Sequence, residues 1–412
     1  MSLDLSWLLL CAALVIFMTP GLAFFYGGLV KSKSVVSMMM LSFGSIVVVA
    51  LLYVLVGAGI ASQVGADSGF FAGNPFADFG LSATAAAIGT SDADGVGVFA
   101  GHAFLVAFCI ITVALVSGAA ADRARFWPWM LFASLFALFV VFPSFRWLWG
   151  LNADGDADGW LANNVFGFGA ALDWAGGTVI HQSSGAAALA LALVLGKRNG
   201  FGKHLAAAHN VPLVMIGAAI LWFGWFGFNT GVYGDDVDHS GLIFLNTLIA
   251  PAAAALGWIG TEKLRYGKST AVGAASGVVA GLVAITPACA FITPLAAIIL
   301  GVVAGAISSL AIELKFKIGV DDSLDVFGIH LVAGFIGCIS VGILGSVGGA
   351  EAGFTLFAAQ LLSSLAMIAY SFIVTYVIAI AIEKTIGFRV PVGQEEESAV
   401  DLANHGENAY NN

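Results

Sequence analysis

Two histidines occupy positions where an ionisable group is costly. The run from Trp174 to Leu195 holds no Lys, Arg, Asp or Glu, and His181 lies inside it. Asp173 stands at the mouth of that run, eight positions before His181, about 12 Å at helical rise. A second such histidine, His330, follows Asp325-Val326-Phe327-Gly328-Ile329 near the start of another apolar run. Ionisable residues inside a membrane span mark solute or proton pathways by default. A neutral imidazole offers one donor and one acceptor nitrogen, so two in contact form a polar strip in an apolar channel. The plain alternative is that each ring only bonds a backbone carbonyl. The pair, in matching positions of two spans, favours function.

Asp173 has a structural role whatever else it does. A carboxylate before the first turn of a helix accepts from free N–H groups and suits the helix dipole. At a channel mouth the same charge lowers the energy of an approaching cation, so it reads as a supporting group and not a direct ligand. Aromatic residues crowd the ends of several spans, among them Phe104, Phe108, Trp147, Trp149, Trp222, Trp225 and Phe228. Most membrane Trp and Phe are packing or interface anchors; a few could hold a cation against a ring face, at about 0.5–2 kcal/mol per contact. His102, His204, His209, His239 and His405 read as loop or span-end residues without a role.

The elements that position these residues follow from composition. Apolar residues make up 60% of the 412, charged residues 10%, and mean hydropathy is +0.98. So little polar surface excludes a soluble domain of this length and leaves an all-α polytopic membrane protein. Eleven apolar spans are expected, near 5–29, 36–60, 98–120, 127–149, 174–195, 211–232, 241–260, 270–290, 294–312, 326–346 and 354–382. The 52 glycines suit close helix crossings. Cys11, Cys109, Cys289 and Cys338 all fall in apolar runs without metal spacing. They read as core residues, and neither a metal, a cofactor nor a nucleic-acid partner is expected.

Of the 15 Lys and Arg, 14 follow odd-numbered spans, and only Arg146 falls on the other side. The positive-inside rule makes that side cytoplasmic, with the N-terminus outside and the C-terminus in the cytoplasm. The opposite face collects 13 of the 25 Asp and Glu, including Asp235, Asp236 and Asp238. It attracts cations or simply keeps loops solvated. Span one lacks a basic n-region and reads as a retained helix rather than a cleaved signal. Spans one to five (about 5–195) and six to ten (about 211–346) have equal number and opposite orientation, the arithmetic of an inverted repeat. Each half ends on the span that carries a histidine. The chain thus divides into a membrane domain over 1–382, with 354–382 as its last helix, and a polar tail over 383–412.

Several motifs along nearly the whole chain resemble the Amt/Mep/Rh ammonium transporter family, specifically its bacterial Amt branch. They are Thr19-Pro20-Gly21-Leu22-Ala23-Phe24-Phe25-Tyr26-Gly27-Gly28, the stretch Phe108 to Phe126 with Asp122-Arg123-Ala124-Arg125, and Asp173 to His181. Trp222 to Asn229, Asp325 to His330 and the tail Asn404 to Tyr410 complete the set. The resemblance implies a homotrimer of eleven-helix protomers in the inner (plasma) membrane that transports ammonium and is not an enzyme. It implies an outer substrate site at Phe104, Phe108 and Trp149 supported by Asp173, a gate of Phe108 and Phe228, and a pore lined by His181 and His330. It further implies that a PII-type signal protein binds the cytoplasmic face and the tail. Val232 departs from the family, which often has Ser there, so the recruitment site would lose a hydroxyl. Three other classes share some of these features. A b-type cytochrome would use the two histidines as haem ligands. A sensor would carry a signalling domain, for which 383–412 is too short. A carrier of larger solutes would show spans broken by Gly or Pro around a bigger cavity.

Overall fold

The computed structural model describes residues 3–61, 71–88, 97–150, 157–202, 207–231, 237–396 and 400–410. Val232, Asp235, Asp236 and His204 lie outside these described residues. Among the described residues the chain is helical, and its only strand-like feature is an isolated bridge between Ala124 and Arg389. Ten helices among the described residues are long and apolar enough to cross a membrane. They are α1 (Leu5–Leu29), α2 (Val35–Ile60), α3 (Val98–Ala120), α4 (Phe126–Trp149), α5 (Gly177–Leu195), α6 (Val211–Thr230) and α7 (His239–Tyr266). A shorter helix, α8 (Ala271–Ile285), precedes α9 (Pro294–Ile318), α10 (Phe327–Leu344) and α11 (Phe354–Thr385).

The segment expected as span eight forms α8, which stops at Ile285. Pro287 explains the early stop: Thr286 is still helical, but Pro287 brings no N–H to continue the ladder and its ring crowds the preceding turn. The chain then turns through fully buried residues, with Ala288 N–H donating to Ile285 O and Phe291 N–H to Ala288 O. Asn246 of α7 satisfies two further carbonyls, donating to Cys289 O at 2.8 Å and Ile292 O at 2.9 Å. Irregular backbone at membrane depth is tolerated only where protein groups satisfy it in this way.

Helix α1 packs along α6, and α5 meets α10, so the first helices of the two expected halves pair and so do the last. Small residues permit the close crossing at the second pair. A Cβ on Gly334 would stand 3.1 Å from the Cβ of His181, so a larger residue on α10 would push the histidine helix away.

At the far end of α3 and α5 the basic residues are not merely a solvated fringe. Arg123 is fully buried and donates to Asp321 Oδ2 (3.0 Å), Gly196 O (2.7 Å), Ala119 O (2.7 Å) and Asp321 O (2.6 Å). Arg198 joins Asp321 Oδ1 at 2.8 Å and Asp122 Oδ2 at 3.1 Å. Arg389, from beyond α11, donates to Leu195 O at 2.7 Å. The tail docks on this end: Asp401 accepts from Val36 and Ser37 N–H at 3.0 and 2.7 Å, and Tyr410 meets His209 at 2.8 Å. A composition count sees these charges as surface; the fold uses several of them to tie helix ends together.

Two aspartates of this network titrate in opposite senses. Burial alone would raise Asp321, but the hydrogen bonds and charge of Arg198 and the charge of Arg123 hold it below the usual carboxylate range. Asp321 therefore contributes stability that is lost as pH falls through its depressed value. Burial, reinforced by the adjacent Asp325, pushes Asp322 up to about 6. Its Oδ2 accepts from Phe327 N–H, but its Oδ1 is buried without a partner. The cost of ionising Asp322 is absent while both states are protonated and grows as pH rises from about 4 towards 6. Asp322→Asn keeps the acceptor and removes that cost. It should raise the apparent Tm at pH 7.5, by on the order of 2–3 kcal/mol of stability, and leave melting near pH 4 unchanged. Equal melting of variant and wild type at pH 7.5 would contradict this assignment.

Candidate functional site

Backbone geometry builds the mouth. Residues 173–176 do not continue α5 outward as the apolar run suggests, because Gly176 takes φ +116° and turns the chain. The Asp173 carboxylate folds over the helix start and accepts from Gly176 N–H at 2.9 Å, Gly177 N–H at 2.6 Å and Thr178 N–H at 2.7 Å. A longer contact to Val179 N–H at 3.4 Å completes the cap. The four free N–H groups of a helix start need partners, and one buried carboxylate serves them here. Trp149, the last residue of α4, donates its indole N–H to Asp173 O at 3.0 Å. Trp174 donates to Asn229 O at 2.8 Å, and its own N–H reaches Pro287 O beside α8.

These residues surround a cavity of about 590 Å³ lined by Phe104, Phe108, Trp149, Asp173, Trp174 and Gly231, among others. The cavity lies at the opposite end of α3 and α5 from the arginine network. Its floor is aromatic. Phe104 and Phe108 have ring centroids 4.5 Å apart, and Phe108 meets Trp149 edge-on at 6.2 Å. Below, Phe108 stacks on Phe228 at 4.1 Å with planes 11° apart, leaving no space between the rings.

Beneath the stacked rings stand the histidines. His181 lies 6.1 Å from Phe228 by centroids, and its ring is 5.4 Å from His330 at 23°. Their Nδ1 atoms are 3.3 Å apart. One Nδ1 must therefore carry the proton and the other accept it, which assigns opposite tautomers to two neutral rings. His181 Nε2 is buried without a partner. Each histidine sits in a widened π-helical turn, Gly177–Gln182 in α5 and Phe327–Leu331 in α10. Such turns recur at functional sites because they re-aim side chains. The contact between the rings also disposes of the haem reading: no macrocycle fits between imidazoles whose nitrogens already touch.

The structure brings the seven residues singled out in the sequence into one continuous series of contacts: Phe104, Phe108, Trp149, Asp173, Phe228, His181 and His330. Others in the series were not distinguishable by type or spacing. Trp225 stacks on His181 at 5.4 Å and 19°, held by its indole bond to Thr286 Oγ1 at 2.8 Å. Phe145 backs Trp149 edge-on at 5.0 Å. His239 braces the mouth from behind, bonding Ala290 O at 2.7 Å beside the Trp174 ring. Its neighbours come from far along the chain, so no local signal could have found it.

A model of the Ammonium Transporter Family matches residues 6–410. The chain belongs to the ammonium transporter family. It is 45% identical over 435 residues to an "Ammonium transporter" of Mycobacterium tuberculosis strain H37Rv, covering 99% of this chain and 90% of that protein. It is 38% identical to "Ammonium transporter Amt1" of Archaeoglobus fulgidus, covering 99% of both. Among solved structures, Candida albicans Mep2 superposes with a TM-score of 0.84 at 30% identity, covering 99% of this chain and 92% of that one. A "Sensor Amt Protein" superposes at 0.87 with 24% identity over 98% of each chain, a likeness of fold. With its ten apolar helices, this member of the family is a multi-pass membrane protein.

Proposed function

We propose that this protein is not an enzyme but carries ammonium across a membrane as NH3, after stripping the proton at the aromatic floor of the mouth. The observation that carries the reading is the sequence of environments along one path: an aromatic cavity with a carboxylate at its rim, a closed Phe stack, then two touching imidazoles. NH4+ enters the cavity and is held by Trp149 and Phe104 through cation–π contacts, with the Asp173 carboxylate lowering the energy of the charge. Among the described residues, those packed between the Phe108–Phe228 gate and the histidine pair carry no fixed charge, so a cation entering there would lose its hydration without replacement. Ammonium sheds its proton to solvent in the mouth, and the resulting NH3 passes the gate as a neutral molecule, hydrogen-bonds along His181 and His330, and is reprotonated on the far side. The proton either returns outward or crosses by way of the histidine pair. K+ has no proton to lose, and the pore offers no ring of carbonyls to replace its water.

The same reading places the arginine-rich end in the cytoplasm, the N-terminus outside, and the protein in the inner (plasma) membrane. The paired first helices α1 and α6 and last helices α5 and α10 support two inverted halves, with α8 as the eighth of eleven spans. The proposal extends to a homotrimer and a PII-type partner, as the family resemblance implies. Docking of the tail across the α2 start and the 195–199 turn supports a tail through which such a partner could act on the pore end.

Uptake into proteoliposomes tests the transport reading. Ammonium and methylammonium should saturate, and a K+ gradient should drive no comparable flux. Trp149→Leu should raise the apparent KM for methylammonium roughly 2- to 30-fold, the loss of one cation–π contact. K+ flux comparable to ammonium, or an unchanged KM in folded Trp149→Leu, would sink the scheme. For the tail, deleting 404–412 should abolish block by a PII-type protein; undiminished block would remove the tail from that regulation.

A further inference from the structure

The loop that carries Asp173 into the mouth is irregular backbone beside apolar helices, so its peptide groups need partners from elsewhere. Asp173 itself serves the start of α5 and contributes nothing to the residues before it. Leu172, the residue immediately preceding, is satisfied by one side chain from the other end of the sequence. Gln360, buried in the second turn of α11, accepts Leu172 N–H on Oε1 at 2.7 Å. Its Nε2 donates to Leu172 O at 2.7 Å and, with the second hydrogen, to Cys338 O at 2.9 Å on α10. A primary amide is the one side-chain group that matches a peptide in both directions, giving Leu172 the pair of bonds a neighbouring strand would give.

The geometry points to Gln360 as a positioning residue for ammonium recruitment: it holds the Leu172–Asp173 backbone at fixed distance from the His330 helix. The chain of contacts is short. Gln360 fixes Leu172; the next carbonyl, Asp173 O, receives the Trp149 indole N–H at 3.0 Å. Two turns along α10 from His330, Cys338 gives its carbonyl to Gln360 and its Sγ to Thr178 Oγ1 at 3.1 Å, inside the π-helical turn that holds His181. One turn further along α11, Ser364 Oγ accepts from Gln182 at 3.0 Å, next to His181. Gln360 thus sets the height of Trp149 and Asp173 above the gate without touching the pore path. Asn is too short to span both partners. Glu keeps the acceptor for Leu172 N–H but sets a second oxygen against two carbonyls. Met leaves both Leu172 groups unpaired.

This inference rests on the reading that Trp149 and Asp173 form the first holding site. Methylammonium uptake into proteoliposomes should therefore compare wild type, Gln360→Glu, Gln360→Met and Trp149→Leu. Both Gln360 variants should raise the apparent KM by about tenfold, the scale of one lost buried hydrogen bond, with maximal rate within about twofold of wild type. A KM raised by Trp149→Leu but not by Gln360→Glu or Gln360→Met overturns the anchor alone. An unchanged KM in all three removes the recruitment reading with it. Maximal rate falling at constant KM, or failure of both Gln360 variants to run as folded protein on gel filtration, makes Gln360 purely structural and overturns the proposal. Hydrogen exchange on the wild type gives an independent check: the Leu172 amide should exchange slowly, and exchange at an unprotected rate would mean the anchor does not exist.

Discussion

One carboxylate and the helix start it covers set the geometry around His181. Asp173 is buried and accepts from the N–H groups of residues 176 to 179, so the loop before α5 and the first turn of α5 move as one body. That body carries His181 at one end and the acceptor of the Trp149 indole at the other. In an apolar medium no water could take over these bonds, and each unsatisfied peptide group there costs several kcal/mol. The cap thus ties the backbone beside the aromatic floor to the turn that carries His181.

The order of environments along the path follows from what each can do to a charge. Ring faces and a carboxylate favour a cation; stacked phenyl rings do not; neutral imidazoles favour a small molecule that both donates and accepts hydrogen bonds. The Phe108–Phe228 stack is closed at 4.1 Å, so passage requires the rings to move, and a small neutral molecule needs the smallest movement. At the arginine-rich end, Arg123, Arg198 and Arg389 hold the ends of α3, α5 and α11 around Asp321 and residues 195–198.

Much of this was legible in the sequence because charge is so rare there. His181 and His330 stood out against apolar runs, and their matching places in two sets of five spans predicted their meeting. Asp173 before Gly176-Gly177 read as a helix cap, and so it is. Helical periodicity was of no help, since most spans are apolar on every face and give no inward stripe. The π-helical turns left no mark, for the same residue types form an ordinary turn elsewhere. The segment at 270–290 read as a uniform span, yet Pro287 closes α8 at Ile285 and turns the remainder into buried loop. Trp225, Thr286 and Gln360 act through partners 44 to 188 residues away, a relation no local pattern encodes. Arg123 counted as one more topological charge, whereas its guanidinium is wholly enclosed.

Ammonium-evoked current in proteoliposomes, measured for the wild type and for His181→Ala combined with His330→Ala, tests the central claim most directly. The account predicts that ammonia still crosses in the double variant, read as a pH change, while any current seen in the wild type vanishes with the pair. A double variant that kept the full wild-type current would show charge passing without the histidines and would contradict a pathway built around them.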